Sequence, residues 1–142
     1  MNDRYLFRAK RKYNGEWMEG CLIIDESREN EYKYRIKPIE NSQIHAYPVD
    51  PSTICQCTGL TDKNGQKIWE GDIFRDIFDD SIVGVVRYGE YRDAFNDNEH
   101  GGHAGFYSEW KEKQDLLRKD LVYWAKTLNL SATFSTTRNY WR

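Results

Sequence analysis

The sequence lacks the features that mark several large classes of protein. It has no run of about 18 apolar residues, which a membrane-spanning helix needs. Its first residues contain no apolar stretch of the kind found in secretion signals. Cysteine and proline occur only three times each in 142 residues, which excludes a disulfide-stapled scaffold and a collagen. These absences predict a cytoplasmic protein with no membrane partner.

A large excess of charge of one sign is also absent. Acidic residues number 23 and basic residues 21, so the net charge of -2 indicates no global positive field of the kind that nucleic-acid binders carry. The charge is nevertheless uneven, because residues 61–110 carry six more acidic than basic side chains. We interpret this acidic middle as a solvated loop. The chain is long enough for one domain with a small appendage.

The first fifty residues are predicted to form a small antiparallel sheet. Asn14-Gly15 lies between the apolar stretches Leu6–Tyr13 and Trp17–Ile24, and this dipeptide is a strong hairpin signal because both residues tolerate positive φ. Tyr32–Pro38 alternates apolar and basic residues with the period of a half-buried strand. Two prolines follow, so the domain boundary is predicted at Asp50–Pro51.

The second half is predicted to be a small barrel or roll of short strands. Glycine-containing turns and the acidic stretch Asp76–Asp80 separate five stretches with strand character: Ile54–Leu60, Lys67–Trp69, Ile73–Phe74, Val83–Tyr88 and Gly105–Trp110. The polar segment Glu90–Gly105 is predicted to be a loop. Leu117, Leu121, Trp124 and Leu128 fall on one stripe of a helix, predicted over Asp115–Thr127. The fold class is therefore mainly β, or α+β at most, with one short helix.

Several motifs resemble those of a known family. Phe7-Arg8-Ala9 and Trp17-Met18-Glu19-Gly20 are followed by a long matching run, Val49–Ile73. Over about residues 5–126 the chain resembles the YopX family, which consists of small proteins encoded by bacteriophages, prophages and related mobile elements. The resemblance implies a β-rich fold, an SH3-like barrel over residues 51–126 and a place in the host-cell cytoplasm. It implies no reaction and no catalytic residues.

The most recognisable part of that run is interpreted as structural. Glycine permits sharp bends and aspartate accepts hydrogen bonds from turn amides, so these residue types suit tight connections between strands. The structural residues are Thr58, Gly59, Leu60, Asp62, Asn64, Gly65, Glu70, Gly71 and Asp72.

Residues 127–142 depart from the resemblance. YopX-like chains typically end in a strand resembling Ile-Gly-Asn-Ile-Phe-Asp-Asn-Pro-Glu-Leu-Leu. Residues Thr127 to Trp141 can be encoded by a nucleotide string that, with one G inserted before it, shifts into another reading frame. In that frame the string translates to Asp-Ile-Glu-Leu followed by the expected ending. We hypothesise a single-base frameshift just after Lys126, in the gene or in its sequencing; the alternative is a genuinely divergent tail. Residues 128–142 are therefore expected to be the least well packed, either frayed or paired with a second copy.

A divalent-metal site is one candidate for chemistry. Imidazole and carboxylate groups suit Zn²⁺, and the polar segment contains both: Asp93, Asp97, Glu99, His100 and His103. Their spacing matches no standard ligand pattern, so a surface loop is favoured and no cofactor is predicted. Four carboxylates nearby likewise lack the pattern of an EF-hand: Asp72, Asp76, Asp79 and Asp80.

Signals of nucleophilic or redox catalysis are absent from the sequence. It contains no phosphate-cradling glycine loop, no nucleophile elbow and no His-Glu-x-x-His motif. Cys55 and Cys57 share one face of a predicted strand, and ordinary burial is favoured for them over a redox or zinc role. No catalytic residue is therefore predicted.

The favoured function is a non-enzymatic binding module for a protein or nucleic-acid partner. The basic run could contact phosphates: Arg8, Lys10, Arg11 and Lys12. Exposed aromatic rings could grip a protein or stack on bases, although core packing is the alternative for each ring: Tyr88, Tyr91, Phe106, Tyr107 and Trp110. Nucleic-acid affinity should be weak and confined to a local basic patch. The alternative function is a metal-dependent enzyme that uses the His100/His103 acidic loop.

Overall fold

The computed structural model describes residues 2–40, 44–75, 83–92, 102–110, 120–127 and 130–132. Over these residues the fold is mainly β, as predicted, with antiparallel strands, two short 3-10 helices (Asp3–Tyr5 and Pro51–Thr53) and one short α-helix. None of the helices in these ranges is long and apolar enough to cross a membrane. The strands are β1 (Phe7–Lys10), β2 (Trp17–Ile24), β3 (Tyr34–Pro38), β4 (Tyr47–Pro48), β5 (Cys55–Thr61), β6 (Lys67–Trp69), β7 (Ile73–Arg75), β8 (Val83–Tyr91), β9 (His103–Trp110) and β10 (Leu130–Ala132), and helix α1 is Leu121–Thr127.

The chain divides into two compact units, residues 1–57 and 58–142. The division falls inside β5, a short distance after the predicted boundary at Asp50–Pro51. Residues at the start of β5 belong with the first unit because they pair with β1, Arg8 opposite Cys55 and Phe7 opposite Gln56.

The first unit is an antiparallel sheet in the order β4-β3-β2-β1-β5. The predicted hairpin joins β1 to β2, and Gly15 adopts a φ of 70° in its turn. Side chains alternate between the two faces of a strand, and here the alternation separates apolar from charged residues. The apolar face packs Ala9, Met18 and Ile36 together with Val49, so the opposite face is left to the charged side chains.

The second unit contains the remainder of β5 paired with β6, and a sheet in the order β10-β7-β8-β9. Its core contains larger side chains than that of the first unit: Ile68, Phe74, Val86, Trp110, Leu121 and Ala125. The described strands of this unit form open sheets and no closed barrel, so the SH3-like barrel stays a prediction.

The hairpin formed by β8 and β9 is longer than the sequence indicates. Residues at both ends of the predicted loop Glu90–Gly105 are paired, Glu90 opposite Ala104 and Tyr91 opposite His103. Contacts between rings explain the extension, because Tyr91 stacks on Tyr107 with ring centroids 5.2 Å apart. That part of the loop prediction is wrong.

The C-terminal region is described only in part. Helix α1 covers the second half of the predicted helix, and residues 115–119 lie outside the described ranges. Strand β10 pairs antiparallel with β7 at the edge of the sheet, Leu130 opposite Phe74. Residues 133–142 also lie outside those ranges, so the poorly packed tail and the frameshift stay predictions.

Candidate functional site

Asp62, in the most recognisable run of the sequence, organises a tight turn. Its Oδ1 accepts hydrogen bonds from the backbone amides of Asn64 and Gln66, at 2.8 and 2.9 Å. Gly65 completes the turn with a φ of 79°, which other residues rarely adopt. The Asp62 side chain is buried, so these amide bonds compensate the cost of removing the carboxylate from water.

Thr58 and Asp72, on either side of that turn, also form hydrogen bonds between their side chains and the backbone. The Thr58 hydroxyl donates to the carbonyl of Ile68 at 2.8 Å and accepts from the amide of Leu60 at 3.1 Å. The Asp72 carboxylate, which is buried, accepts from the amide of Trp69 at 2.8 Å. The side chains of Thr58, Asp62 and Asp72 therefore form hydrogen bonds to the backbone, and these bonds stabilise the local turns.

The described part of the chain assembles no metal centre from the predicted ligands. His103 lies on β9 and is exposed, with its ring 5.5 Å from that of Tyr91. Asp72 is buried and accepts a hydrogen bond from the backbone amide of Trp69. The remaining proposed ligands lie outside the described residues, and no group of three or more His, Cys, Asp or Glu within those residues could hold a metal ion. Those ligands are Asp76, Asp79, Asp80, Asp93, Asp97, Glu99 and His100.

The two cysteines of the Cys-x-Cys motif are buried and free of disulfides. Cys55 Sγ accepts a hydrogen bond from Arg8 Nε at 3.2 Å, which joins it to the basic run. Their burial agrees with a packing role.

The aromatic candidates do not form one surface. The register of β8 and β9 places Tyr88 opposite Phe106 on the face that packs into the core, and Trp110 lies fully buried on that same face. Tyr91 and Tyr107 stack together on the opposite face. Burial removes Trp110 from any partner surface, whereas Tyr88, with 62% of its surface exposed, remains accessible.

The basic candidates of β1 lie together on the charged face of the first unit. The guanidinium carbon of Arg8 lies 5.0 Å from the ring centroid of Trp17, and Lys10 Nζ lies 5.5 Å from it. A cation over an indole ring is held by the negative potential of the ring face. Trp17 therefore fixes both cations on the sheet surface. Lys12 is exposed in the turn that follows.

Strand β3 extends this surface. Lys37 pairs with Cys21 and Arg35 with Ile23, and these β2 residues alternate in phase with Trp17, so both basic side chains emerge on its side of the sheet. Glu19 is the one acidic residue among the described residues in these positions of β1, β2 and β3. We call this surface the basic face: Arg8, Lys10, Trp17, Arg35 and Lys37.

The turn between β2 and β3 contains four acidic side chains of the first unit: Asp25, Glu26, Glu29 and Glu31. There Arg28 pairs with Asp25 at 3.0 Å, and Lys33 Nζ lies 3.2 Å from a carboxylate oxygen of Glu26. Hydrogen bonds from Ser27, and then the Arg28 charge, hold the pKa of Asp25 below its usual value. Glu19 is the single described acidic residue on the strand positions of the basic face. The face is therefore locally positive, although residues 1–60 carry equal numbers of acidic and basic side chains.

A groove bordering the basic face is a feature that sequence reasoning missed. It encloses about 680 Å³, and its lining comes from several separate segments of the first unit. The Arg11 guanidinium lies over the ring of Tyr47 in this groove, 4.3 Å from its centroid. We call it the tyrosine groove, after its main lining residues: Arg11, Tyr13, Tyr32, Arg35, Lys37 and Tyr47. No local pattern reveals it, because chain pairing alone brings these segments together.

The fold and this surface define a small, mainly antiparallel-β protein with four basic side chains grouped on one sheet face. The chain belongs to the YopX family, since the family model described as YopX protein matches residues 6–120. Comparisons with curated proteins and with solved structures found no match.

Proposed function

We propose that the protein is a non-enzymatic binding module that holds nucleic acid on the basic face of its first unit. The observation that carries this proposal is the grouping of Arg8, Lys10, Arg35 and Lys37 around Trp17 on one sheet surface. Contacts between basic side chains and phosphates supply affinity that does not depend on base sequence.

The organisation of the cations favours a polyanionic partner. The face carries four basic side chains against one described acidic residue, Glu19. Arg8 and Lys10 are already positioned by Trp17, so less side-chain freedom is lost when they meet phosphates. The net charge of -2 opposes long-range attraction, and we therefore expect binding that is weak at physiological salt.

The setting we propose is the cytoplasm of a bacterial cell that carries a bacteriophage or prophage. Membership of the YopX family supports this setting. Nucleic acid is abundant there, and a weak, sequence-tolerant binder would act on it at high local concentration.

Fluorescence anisotropy with a labelled single-stranded oligonucleotide tests the proposal. With about four phosphates neutralised, the slope of log affinity against log salt should be about -3, so affinity should fall about 50-fold between about 50 and about 200 mM salt. The double variant Arg8→Gln/Lys10→Gln should flatten the slope by about half. Lys33→Gln is the matched control, because Lys33 is held by the acidic turn, and it should bind as the wild type does.

Three results would contradict the proposal. They are the absence of binding at low salt, binding that does not respond to salt, and an equal loss in the Lys33 control. Loss of binding on addition of a chelator would instead favour a metal-dependent function.

A further inference from the structure

We infer that the tyrosine groove is a subsite for one unpaired nucleotide, with the phosphate held by Arg35 and Lys37 and the base held against tyrosine rings. This inference deepens the proposed function and rests on it. It adds a preference that the basic face alone does not supply: single strands should bind more tightly than duplexes.

Arg35 provides the first argument. Its Nε is buried and donates to no acceptor among the described residues. Its Nη2 lies 3.6 Å from Asp25 Oδ2, which is too long for a good hydrogen bond. Asp25 already accepts from Ser27 and Arg28. Since buried donors in proteins are normally satisfied, the guanidinium suits an added acceptor, and phosphate oxygens are strong acceptors for arginine.

Arg11 supplies a second positive group on the wall of the groove. Its guanidinium stacks on the ring of Tyr47, a contact made through the flat face of the guanidinium. Hydrogen bonds to a phosphate use the edge of that group instead. Stacking therefore orients Arg11 without using its donors. The described residues that line the groove include Arg11, Arg35 and Lys37 and no carboxylate.

The aromatic lining provides the argument for a base. Tyr13 and Tyr32 keep 67% and 41% of their surface exposed, so they offer ring area to a ligand. The Tyr13 hydroxyl donates to Glu31 Oε1 at 2.7 Å, which fixes the direction of its ring. Stacking on tyrosine tolerates any base because every base has a flat face.

The size of the groove fits the same ligand. A volume of about 680 Å³ lies within the usual range for small-molecule sites. A base that remains paired inside a duplex cannot enter such a concave site without being unstacked first, which costs free energy. The groove should therefore select unpaired nucleotides, whether they belong to a strand or are free in solution.

Anisotropy with one labelled single strand, its duplex and unlabelled AMP as a competitor tests the inference. The wild type should prefer the single strand to the duplex by about tenfold. Tyr32→Leu should lose most of this preference and leave duplex affinity and the salt slope unchanged. Tyr32→Phe retains the ring and should bind as the wild type does. The matched control is Tyr5→Leu, because Tyr5 is also an exposed tyrosine of the first unit, with 66% of its surface exposed against 41% for Tyr32, and does not line the groove.

The outcomes separate this inference from the proposed function. If Tyr32→Leu keeps the preference for single strands while Arg8→Gln/Lys10→Gln loses binding, the groove inference is overturned and the proposed function stands. If no oligonucleotide binds but AMP quenches tyrosine fluorescence in the wild type and fails to do so in Arg35→Gln, the proposed function is overturned and the site serves free nucleotides. If neither ligand binds, both are overturned. Urea unfolding of each variant checks that it folds.

Discussion

The two units place their charged and polar groups in opposite ways. In the first unit the described charged side chains remain at the surface, over a core of small residues such as Ala9 and Val49. The second unit buries the carboxylates of Asp62 and Asp72, and its core contains large aromatic residues such as Trp110. All four buried polar residues found in the described ranges belong to it: Thr58, Asp62, Asp72 and Ser108. The difference indicates that the second unit contributes packing and turn geometry, and it agrees with our proposal that the first unit presents a surface for a ligand.

Truncation of Trp110, in the core of the second unit, should cause the largest loss of stability. Trp110→Ala leaves a cavity at the centre of the second core and should lower the free energy of unfolding by about 3–5 kcal/mol. Urea unfolding followed by circular dichroism measures the loss. The control Tyr88→Ala removes an exposed ring and should cost less than about 1 kcal/mol. Equal effects would show that the core of the second unit is not organised around Trp110.

Removal of a buried carboxylate from the second unit should cause the second-largest loss of stability. Asp72→Ala leaves the Trp69 amide without its acceptor and should destabilise the protein by about 2–3 kcal/mol. Asp50→Ala is the comparison in the first unit, because Asp50 accepts from the amide of Ser52 at the start of a short helix and its loss should cost about 1 kcal/mol. Thermal unfolding compares the two variants. A larger effect at Asp50 would reverse the contrast between the units.

Substitution of Gly20 on β2 tests how closely the first unit's sheet is packed and whether its strands are needed for binding. A Cβ at this position would collide with the backbone carbonyl of Lys37 on the neighbouring strand, so Gly20→Ala should cost about 1–3 kcal/mol. Because Lys37 belongs to the basic face, oligonucleotide affinity should fall as well. Gly15→Ala serves as the control, since its turn has open space and should cost about 1 kcal/mol through backbone strain alone. Unchanged oligonucleotide affinity in Gly20→Ala would show that β3 does not contribute to binding.

Correcting the hypothesised frameshift should strengthen the second unit. Inserting one G after the Lys126 codon restores a more apolar strand, which should raise the free energy of unfolding by about 1–3 kcal/mol. Urea unfolding of the two chains measures the change, and resequencing the gene checks the hypothesis directly. A restored chain that is no more stable would argue for a genuinely divergent tail.

The smallest effect is expected at Tyr13, on the surface of the first unit. The hydrogen bond to Glu31 raises the pKa of Tyr13 to about 12. Since the folded-state pKa lies above the unfolded one, this bond stabilises the protein below pH 10 and its contribution disappears as the pH rises from about 10 to about 12. Titration of the tyrosine ring by NMR should show the high pKa in the wild type and a value closer to 10 in Glu31→Gln. An unchanged titration in that variant would contradict the assigned cause.

Local patterns in the sequence were sufficient for single elements. The Asn14-Gly15 hairpin and the alternation in β3 depend on neighbouring residues, and both are observed. The sequence predicts the basic run as one group, but the structure divides it. Arg8 and Lys10 of β1 lie over Trp17 on the basic face, whereas Arg11, which follows β1, lies over Tyr47 in the tyrosine groove.

Long-range pairing accounts for what the sequence did not reveal. Period-2 alternation shows which residues of a strand share a face, but not which strand lies beside it or in what register. Arg35 and Lys37 join the basic face only through the register of β3 on β2. In the same way, the register of β8 on β9 places Phe106 opposite Tyr88. Two strands therefore had to be paired before either surface could be recognised.

The hydrogen bonds of Thr58, Asp62 and Asp72 bear on how the family is delimited. These side chains hold backbone groups of the β5–β6 hairpin and the turn after it. A genome search with the segment that contains Thr58, Asp62 and Asp72 therefore collects chains that can form the same hairpin. It does not select for the side chains on the surfaces of their sheets. Grouping the retrieved chains by the residues equivalent to Arg8, Lys10, Arg35 and Lys37 would instead sort them by the charge of the proposed binding face.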